Sequence, residues 1–286
     1  MSPFRVLLVV GVLSAALTGA EAASVVLVNQ GQPVAYIVLA KAPTRAASFA
    51  AAELQWHIQR ITGATVPLVA DDQPVIGTRI LVGESAATVA LGLHNADFAS
   101  QEYLVRVRPG LVILMGRDTE DRRAFDYADP GTWPALGTGT LWNVPDVFDE
   151  QATAYAVYDF LEKFCSVRWY LPTELGLCCP HTATLAVSGR DIRRSPAMKT
   201  RYQTVDFTFP ADLCGDTVTP TGATPALDHR EQMLWWHRLR LGGEAYAANH
   251  SLYGYYDRFL TSHPEYFAQG YVGRPPQMCY TNPGFI

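Results

Sequence analysis

Residues 46–67 read AASFAAAELQWHIQRITGATVP, and the helix period, the stop signal and the exit of this stretch all agree. Ala47, Ala51, Leu54, Ile58 and Ile61 recur at spacings of three and four, which predicts one apolar face of an amphipathic helix. That face must be buried against something. Thr62-Gly63 ends the helix as a left-handed C-cap glycine does, and Val66-Pro67-Leu68-Val69 leaves as an extended segment. The local unit is a helix feeding a strand.

Working outward, residues 24–28 and 34–39 are β-rich runs separated by Asn29-Gln30-Gly31-Gln32, which predicts a hairpin. After the helix, strands are expected over 66–69 and 79–82, then a short helix over 84–93. Gly83-Glu84-Ser85 lacks the lysine and the glycine spacing of a phosphate loop, which argues against nucleotide binding. Residues 101–107 alternate, Pro109-Gly110 makes a turn and 111–115 is a continuous apolar run, so an antiparallel hairpin is expected. A long aperiodic stretch rich in Gly, Pro and Trp runs from Gly116 through Pro145; connections of this length tend to be functional or mobile. Residues 152–164 predict a helix with Tyr155, Tyr158 or Asp159, and Glu162 on one face and Ala156, Phe160 and Phe164 on the other. Short strands follow over 167–172 and 184–187. The charged, proline-terminated connector 190–196 is expected to divide two domains. Beyond it, a strand over 197–209, a helix over 228–240 and further segments at 245–250, 256–260 and 278–280 continue an alternation that suggests a parallel sheet or barrel.

The chain has 286 residues, 49% of them hydrophobic, and a net charge of -5. That balance argues against nucleic acid as a partner, because phosphate binding calls for clustered Lys and Arg. The first 22 residues carry Arg5, an apolar run from Val6 to Leu17 and Ala20-Glu21-Ala22, the layout of a secretory signal peptide cleaved after Ala22. The apolar run is shorter than the roughly 20 residues that span a bilayer, and no lipid-attachment cysteine follows it. The expected product is secreted or periplasmic, with no membrane contact after cleavage. Cys165, Cys178, Cys179, Cys214 and Cys279 are odd in number, which leaves at least one unpaired within the chain. Their spacing is not that of a zinc site, and neither a metal nor a cofactor is expected. Cys165 lies in an apolar helical pattern and reads as a small buried hydrophobe.

The segment AAELQWHIQRITGATVPLV, followed by RILVGES, resembles the small α/β domain that precedes the catalytic barrel in several glycoside hydrolase families, notably the α-glucuronidases and β-hexosaminidases. The later GRD and AYAVYDFLEKFCSVRWYLPTELG resemble the closing half of the same domain. They are most similar to a family of exported bacterial proteins related to the α-glucuronidases, with Ser166 where a glycine is common. The resemblance implies an α/β fold: an accessory domain with a mixed sheet over 23–190, then the first units of an incomplete (β/α)8 barrel over 191–286. Such a barrel typically takes roughly 250 residues, and fewer than half that number remain. A truncated member is therefore expected, the alternative being a small second domain. The implied function is carbohydrate processing, with an oligo- or polysaccharide substrate and α-glucuronidase-like hydrolysis as the nearest case. The alternative is a non-catalytic carbohydrate-binding or interaction module. The sequence sets no oligomeric state.

Glycoside hydrolysis needs two carboxylates flanking the bond, placed in barrel enzymes at the C-terminal ends of strands. In the resembled barrels they belong to later strands. Asp206, Glu244 and Asp257 match no catalytic motif and read as structural or solvated, so no catalytic residue is nominated. Five residues are candidates for substrate binding. Arg201, in the first expected barrel strand, could fork onto sugar hydroxyls or tie strand to helix by a salt bridge. Asn249 and His250 belong to Asn249-His250-Ser251, which resembles the family's Gly-His-Ser type motif; His250 suits a sugar hydroxyl or carboxylate, or a structural role. Arg117, at a strand end beside Asp118, and Trp142, in the long link, could reach over the barrel mouth, where a Trp face serves for sugar stacking or as a hydrophobic plug. Arg168, Trp169 and Tyr170 are expected to pack between domains. His229 and His237 lack the HExxH spacing of a zinc site.

Overall fold

The structure is a computed structural model that describes residues 24–128, 143–189, 191–201, 229–244, 253–268, 278–279 and 281–284. The expected signal segment, Trp142, Asp206, Cys214, Asn249 and His250 lie outside these residues. In chain order the elements are β1 (Val25–Asn29), β2 (Gln32–Pro33), β3 (Ala35–Leu39), α1 (Arg45–Thr62), β4 (Leu68–Ala70), β5 (Thr78–Val82), α2 (Ala86–Val89), β6 (Tyr103–Arg108), β7 (Leu111–Gly116) and α3 (Ala152–Phe164). There follow β8 (Arg168–Trp169), β9 (Leu177–Cys178), β10 (Leu185–Val187), β11 (Ile192–Arg194), β12 (Thr200–Arg201), α4 (His229–Arg238), β13 (Gly242–Gly243) and α5 (Tyr253–Phe259).

Helix α1 forms as its sequence predicts. Thr44 Oγ1 accepts from the Ala47 amide at 3.1 Å at the start, and Gly63, at φ 75°, returns its N–H to Gln59 O at the end. The predicted apolar face is buried, and the buried arc also takes in Phe49, Glu53 and His57. A six-stranded mixed sheet, order β11-β6-β7-β5-β3-β4, lies against it. β7, β5, β3 and β4 run parallel, while β6 and β11 are antiparallel to their neighbours. Ile80, Val82, Val112 and Leu114 face α1 and α3. Leu81, Ile113 and Met115 point the other way, against Leu93 and Phe98 of the segment that covers the second face. Burial on both faces is why 111–115 reads as an unbroken apolar run. The α/β fold class and the 101–115 hairpin stand as expected.

Several expectations are corrected. β1 turns into β2, but β3 does not pair with β1; it enters the large sheet between β4 and β5, and β1 pairs instead with β10 in a three-stranded antiparallel sheet. The reason lies in β3 itself, where Ala35, Ile37 and Val38 are all buried, so both faces need cover. Helix α3 is buried on both of its expected faces from Ala152 through Leu161, because the sheet, α1 and α4 surround it. The charged connector contains β11, an edge strand on β6. Its arginines serve the edge: Arg193 pairs with Glu102 and Arg194 with Asp159.

Helix α4, past the expected boundary, contributes Met233, Leu234, Trp235 and Trp236 to the same core as α1 and α3. β12 and β13 pair antiparallel; the strand expected over 197–209 is described only through Arg201. Cys165 is buried, and burial pushes its thiol well above the usual range. Among the described residues no helix is long and apolar enough to cross a membrane.

Candidate functional site

In open α/β sheets, ligand crevices form outside the carboxyl ends of the strands. Here β5 leads into Gly83-Glu84 and β7 into Arg117-Asp118, and a cleft of about 590 Å³ opens there, lined by Glu84, Asn95, Asp97, Arg117, Asp118 and Glu150 among others. Arg117 is half-buried, and its guanidinium takes part in no hydrogen bond or ion pair among the described residues. Glu84 accepts from the Asn95 amide and Glu150 from the Gln101 amide at 2.8 Å. Each carboxylate keeps further lone pairs, so the wall can accept from hydroxyls while Arg117 donates to them.

Asp118 is buried and held by its own chain. Its Oδ2 accepts from Thr44 Oγ1 at 3.1 Å and its Oδ1 from the Thr153 amide at 2.9 Å. Thr44 caps α1 and Thr153 lies in the first turn of α3, so one carboxylate ties two helix N-termini, whose positive ends favour its charge. Burial pushes its pKa up to about 6, against the Thr153 and Thr44 hydrogen bonds, which lower it. The Asn95 side chain brackets the Asp118 backbone, accepting from its N–H at 2.7 Å and donating to its carbonyl at 2.9 Å.

A second polar cluster joins α4 to the α/β layer. Arg238 Nε and Nη2 donate to Glu53 Oε2 and Oε1 at 2.8 and 3.0 Å. Tyr158 adds a hydroxyl donor to Oε2 at 3.2 Å and Tyr127 another to Oε1. The Arg238 guanidinium lies over the Trp56 ring at 4.8 Å. Burial raises the Glu53 carboxyl, but the charge and hydrogen bonds of Arg238, with the Tyr127 hydroxyl, together bring it down to about 2. One turn on, His57 Nδ1 lies 2.7 Å from Glu53 O, and Trp169 Nε1 donates to His57 Nε2 at 2.9 Å. A carbonyl only accepts and an indole only donates, so the ring is neutral with its proton on Nδ1. Burial lowers its pKa to about 4 in keeping with this. Glu53, His57 and Tyr158 are buried, and the cluster acts as a joint.

Of the candidates named from the sequence, Arg117 and Arg201 are described, and they line separate clefts. Arg201 Nε donates to Arg240 O at 2.7 Å, Nη1 to Gln101 Oε1 at 2.6 Å and Met198 O at 2.7 Å, and Nη2 to Tyr155 OH at 3.1 Å. It ties its strand to the end of α4 through neutral acceptors. Glu244 is exposed and Asp257 falls within α5. Trp169 packs between the sheet domain and α4, its carbonyl accepting from Trp235 Nε1 at 3.2 Å. Tyr170 does not share that packing and is 69% exposed. Sequence reasoning passed over Glu53, His57 and Arg238. The available signal was a Glu and a His four apart inside an alanine-rich helical run.

No protein-family model matches the chain, and no curated protein matches it. Among solved structures it is similar to a family GH115 4-O-methyl-α-glucuronidase, BtGH115A, with specificity for decorated arabinogalactans, at 16% identity and a TM-score of 0.45. The match covers 76% of this chain and 25% of that one, so the chain spans about a quarter of that protein's length. This distant structural neighbour is a glycoside hydrolase.

Proposed function

We propose that the chain is part of a carbohydrate-processing protein of the glycoside hydrolase type, in which the α/β domain is a rigid base for the unit that follows it and is not itself the catalytic unit. The observation that carries the base role is the Glu53–Arg238 joint, a buried ion pair with two hydrogen bonds that fixes α4 onto α1, with Tyr158 of α3 donating to the same carboxylate. Support for the carbohydrate class comes from the resemblance of AAELQWHIQRITGATVPLV and AYAVYDFLEKFCSVRWYLPTELG to the accessory domain of the α-glucuronidases. α-Glucuronidase-like polysaccharide breakdown outside the cell is the nearest named case. The free Arg117 guanidinium, set among Glu84, Asp97 and Glu150, supports a hydroxyl-rich ligand at the sheet's carboxyl edge.

The test is calorimetric titration of the protein with glucuronoxylan fragments, alongside a hydrolysis screen on aryl glycosides. The expected result is oligosaccharide binding without turnover, weakened in Arg117→Ala. Turnover by this chain would overturn the base role, and a flat titration across the panel would overturn the carbohydrate reading.

A further inference from the structure

A cleft of about 400 Å³ lies between the β11–β12 connection and the end of α4. Tyr103, Arg194, Ser195, Arg201, Leu239 and Arg240 form most of its wall, and among the described residues no carboxylate lines it. Behind the wall Arg194 pairs with Asp159, and Arg240 with Glu162 at 2.6 Å. Arg201 donates only to neutral acceptors. Three guanidiniums are thus matched by two paired carboxylates, and one positive charge is in excess.

Arg194 is open to the cleft, its side chain 48% exposed. Its Nε donates to Tyr103 OH at 2.7 Å and its Nη2 to Asp159. With five N–H groups on a guanidinium, both on Nη1 and one on Nη2 are left, the end-on fork that suits two oxygens of one anion. Arg240 carries two unfavourable features at once. It stands at φ 57° just after α4, where a left-handed backbone favours glycine, and its Nη1 is buried without an acceptor. Strained backbone and unsatisfied donors persist where the surroundings impose them and tend to cluster at functional sites.

We propose that this cleft binds one singly charged oxyanion, held by the free end of the Arg194 guanidinium and the Ser195 hydroxyl, with the charges of Arg201 and Arg240 behind them. The ligand restores the charge balance of the cluster. The proposal is independent of the carbohydrate reading, since it concerns the charge of the ligand and not its hydroxyls.

The test titrates the full chain with formate and, separately, sulfate at constant ionic strength set with chloride, following the arginine Nε–H signals by nuclear magnetic resonance. The expected result is a saturable shift of the Arg194 signal, with affinity about tenfold weaker in Ser195→Ala and the saturable response lost from the remaining arginine signals in Arg194→Gln. Arg240→Gly separates binding from folding: it supplies the residue the left-handed backbone favours, so the protein stays folded while affinity falls. Saturation by sulfate and not by formate means a doubly charged ligand and overturns the single charge proposed. A response that never saturates, or one unchanged in Arg194→Gln and Arg240→Gly, overturns the proposal.

Discussion

Glu53→Gln is the change that most directly challenges the joint between α4 and the α/β layer. It leaves the Arg238 guanidinium, 9% exposed, without a counter-ion, and because Tyr127 and Tyr158 donate to different oxygens of Glu53, the amide keeps an acceptor for only one of the two hydroxyls. Removing one partner of a buried pair costs about 3–5 kcal/mol. The hold on the Glu53 carboxyl, from 4.5 to about 2, corresponds to about 3 kcal/mol, in the same range. In urea, with a slope of roughly 2 kcal/mol per molar, the midpoint should fall by about 2 M. Trp56, Trp169 and Trp235 surround the joint and report the transition by fluorescence. The double variant Glu53→Leu with Arg238→Met removes both charges and should regain most of the loss, since apolar replacement of a whole buried pair is often neutral. The pH dependence has a definite sign. The folded pKa lies below the unfolded one, so the contribution is complete above about pH 4.5 and fades as the pH falls towards 2, and the gap between wild type and Glu53→Gln should close over that window. A midpoint unchanged in Glu53→Gln, or a double variant as unstable as the single, would refute the reasoning.

Asp118→Ala removes the acceptor at two helix N-termini and should cost about 2–4 kcal/mol in the same urea assay. The milder Asp118→Asn carries the pH signature. A folded pKa of about 6 against 3.8 unfolded means a share of stability present below pH 3.8 and lost as the pH rises through 6, a slope that the asparagine should flatten. Two glycines with similar backbone separate strain from contact. Gly63, at φ 75°, has nothing within 4 Å of an added Cβ, whereas at Gly83, φ 71°, the Cβ would meet Ala47 Cβ at 2.6 Å. Gly63→Ala should therefore cost about 1 kcal/mol of left-handed strain, and Gly83→Ala clearly more, as judged by thermal melts of the two side by side.

What could be read from the sequence was local. The spacing of Ala47, Leu54, Ile58 and Ile61 gave α1 with its stop at Gly63, and Pro109-Gly110 between an alternating and a continuous apolar run gave β6 and β7, because each signal lies within a few residues of the structure it causes. The partner of β3 was not legible. Its run fits a hairpin with β1 as well as it fits a parallel sheet, and the choice is made by helices that cover both faces from elsewhere in the chain. The same holds for β11, whose arginines suggest a solvated connector until Glu102 and Asp159 are brought beside them. At the site, Arg117 was legible as a polar residue closing an apolar strand. Glu53 and Arg238 are 185 residues apart, and no pattern within either segment names the other as its counter-ion.

The two arginines that close α4 link these observations. Arg238 holds the helix to Glu53 on α1, and two residues on, the Arg240 carbonyl receives Arg201 while its side chain reaches Glu162 on α3. The position of Arg240, and with it one wall of the arginine cleft, is therefore set by the buried pair. Apolar contacts from Met233, Leu234, Trp235 and Trp236 supply area for docking, but area is tolerant of sliding and rotation, whereas two hydrogen bonds from a planar guanidinium to one carboxylate fix a register. On this reasoning the charge-free double variant, even where it recovers stability, should loosen α4 about its axis and weaken oxyanion binding at a cleft it does not touch. If binding survived in that variant, the apolar face of α4 would be sufficient to set the register, and the ion pair would serve stability alone.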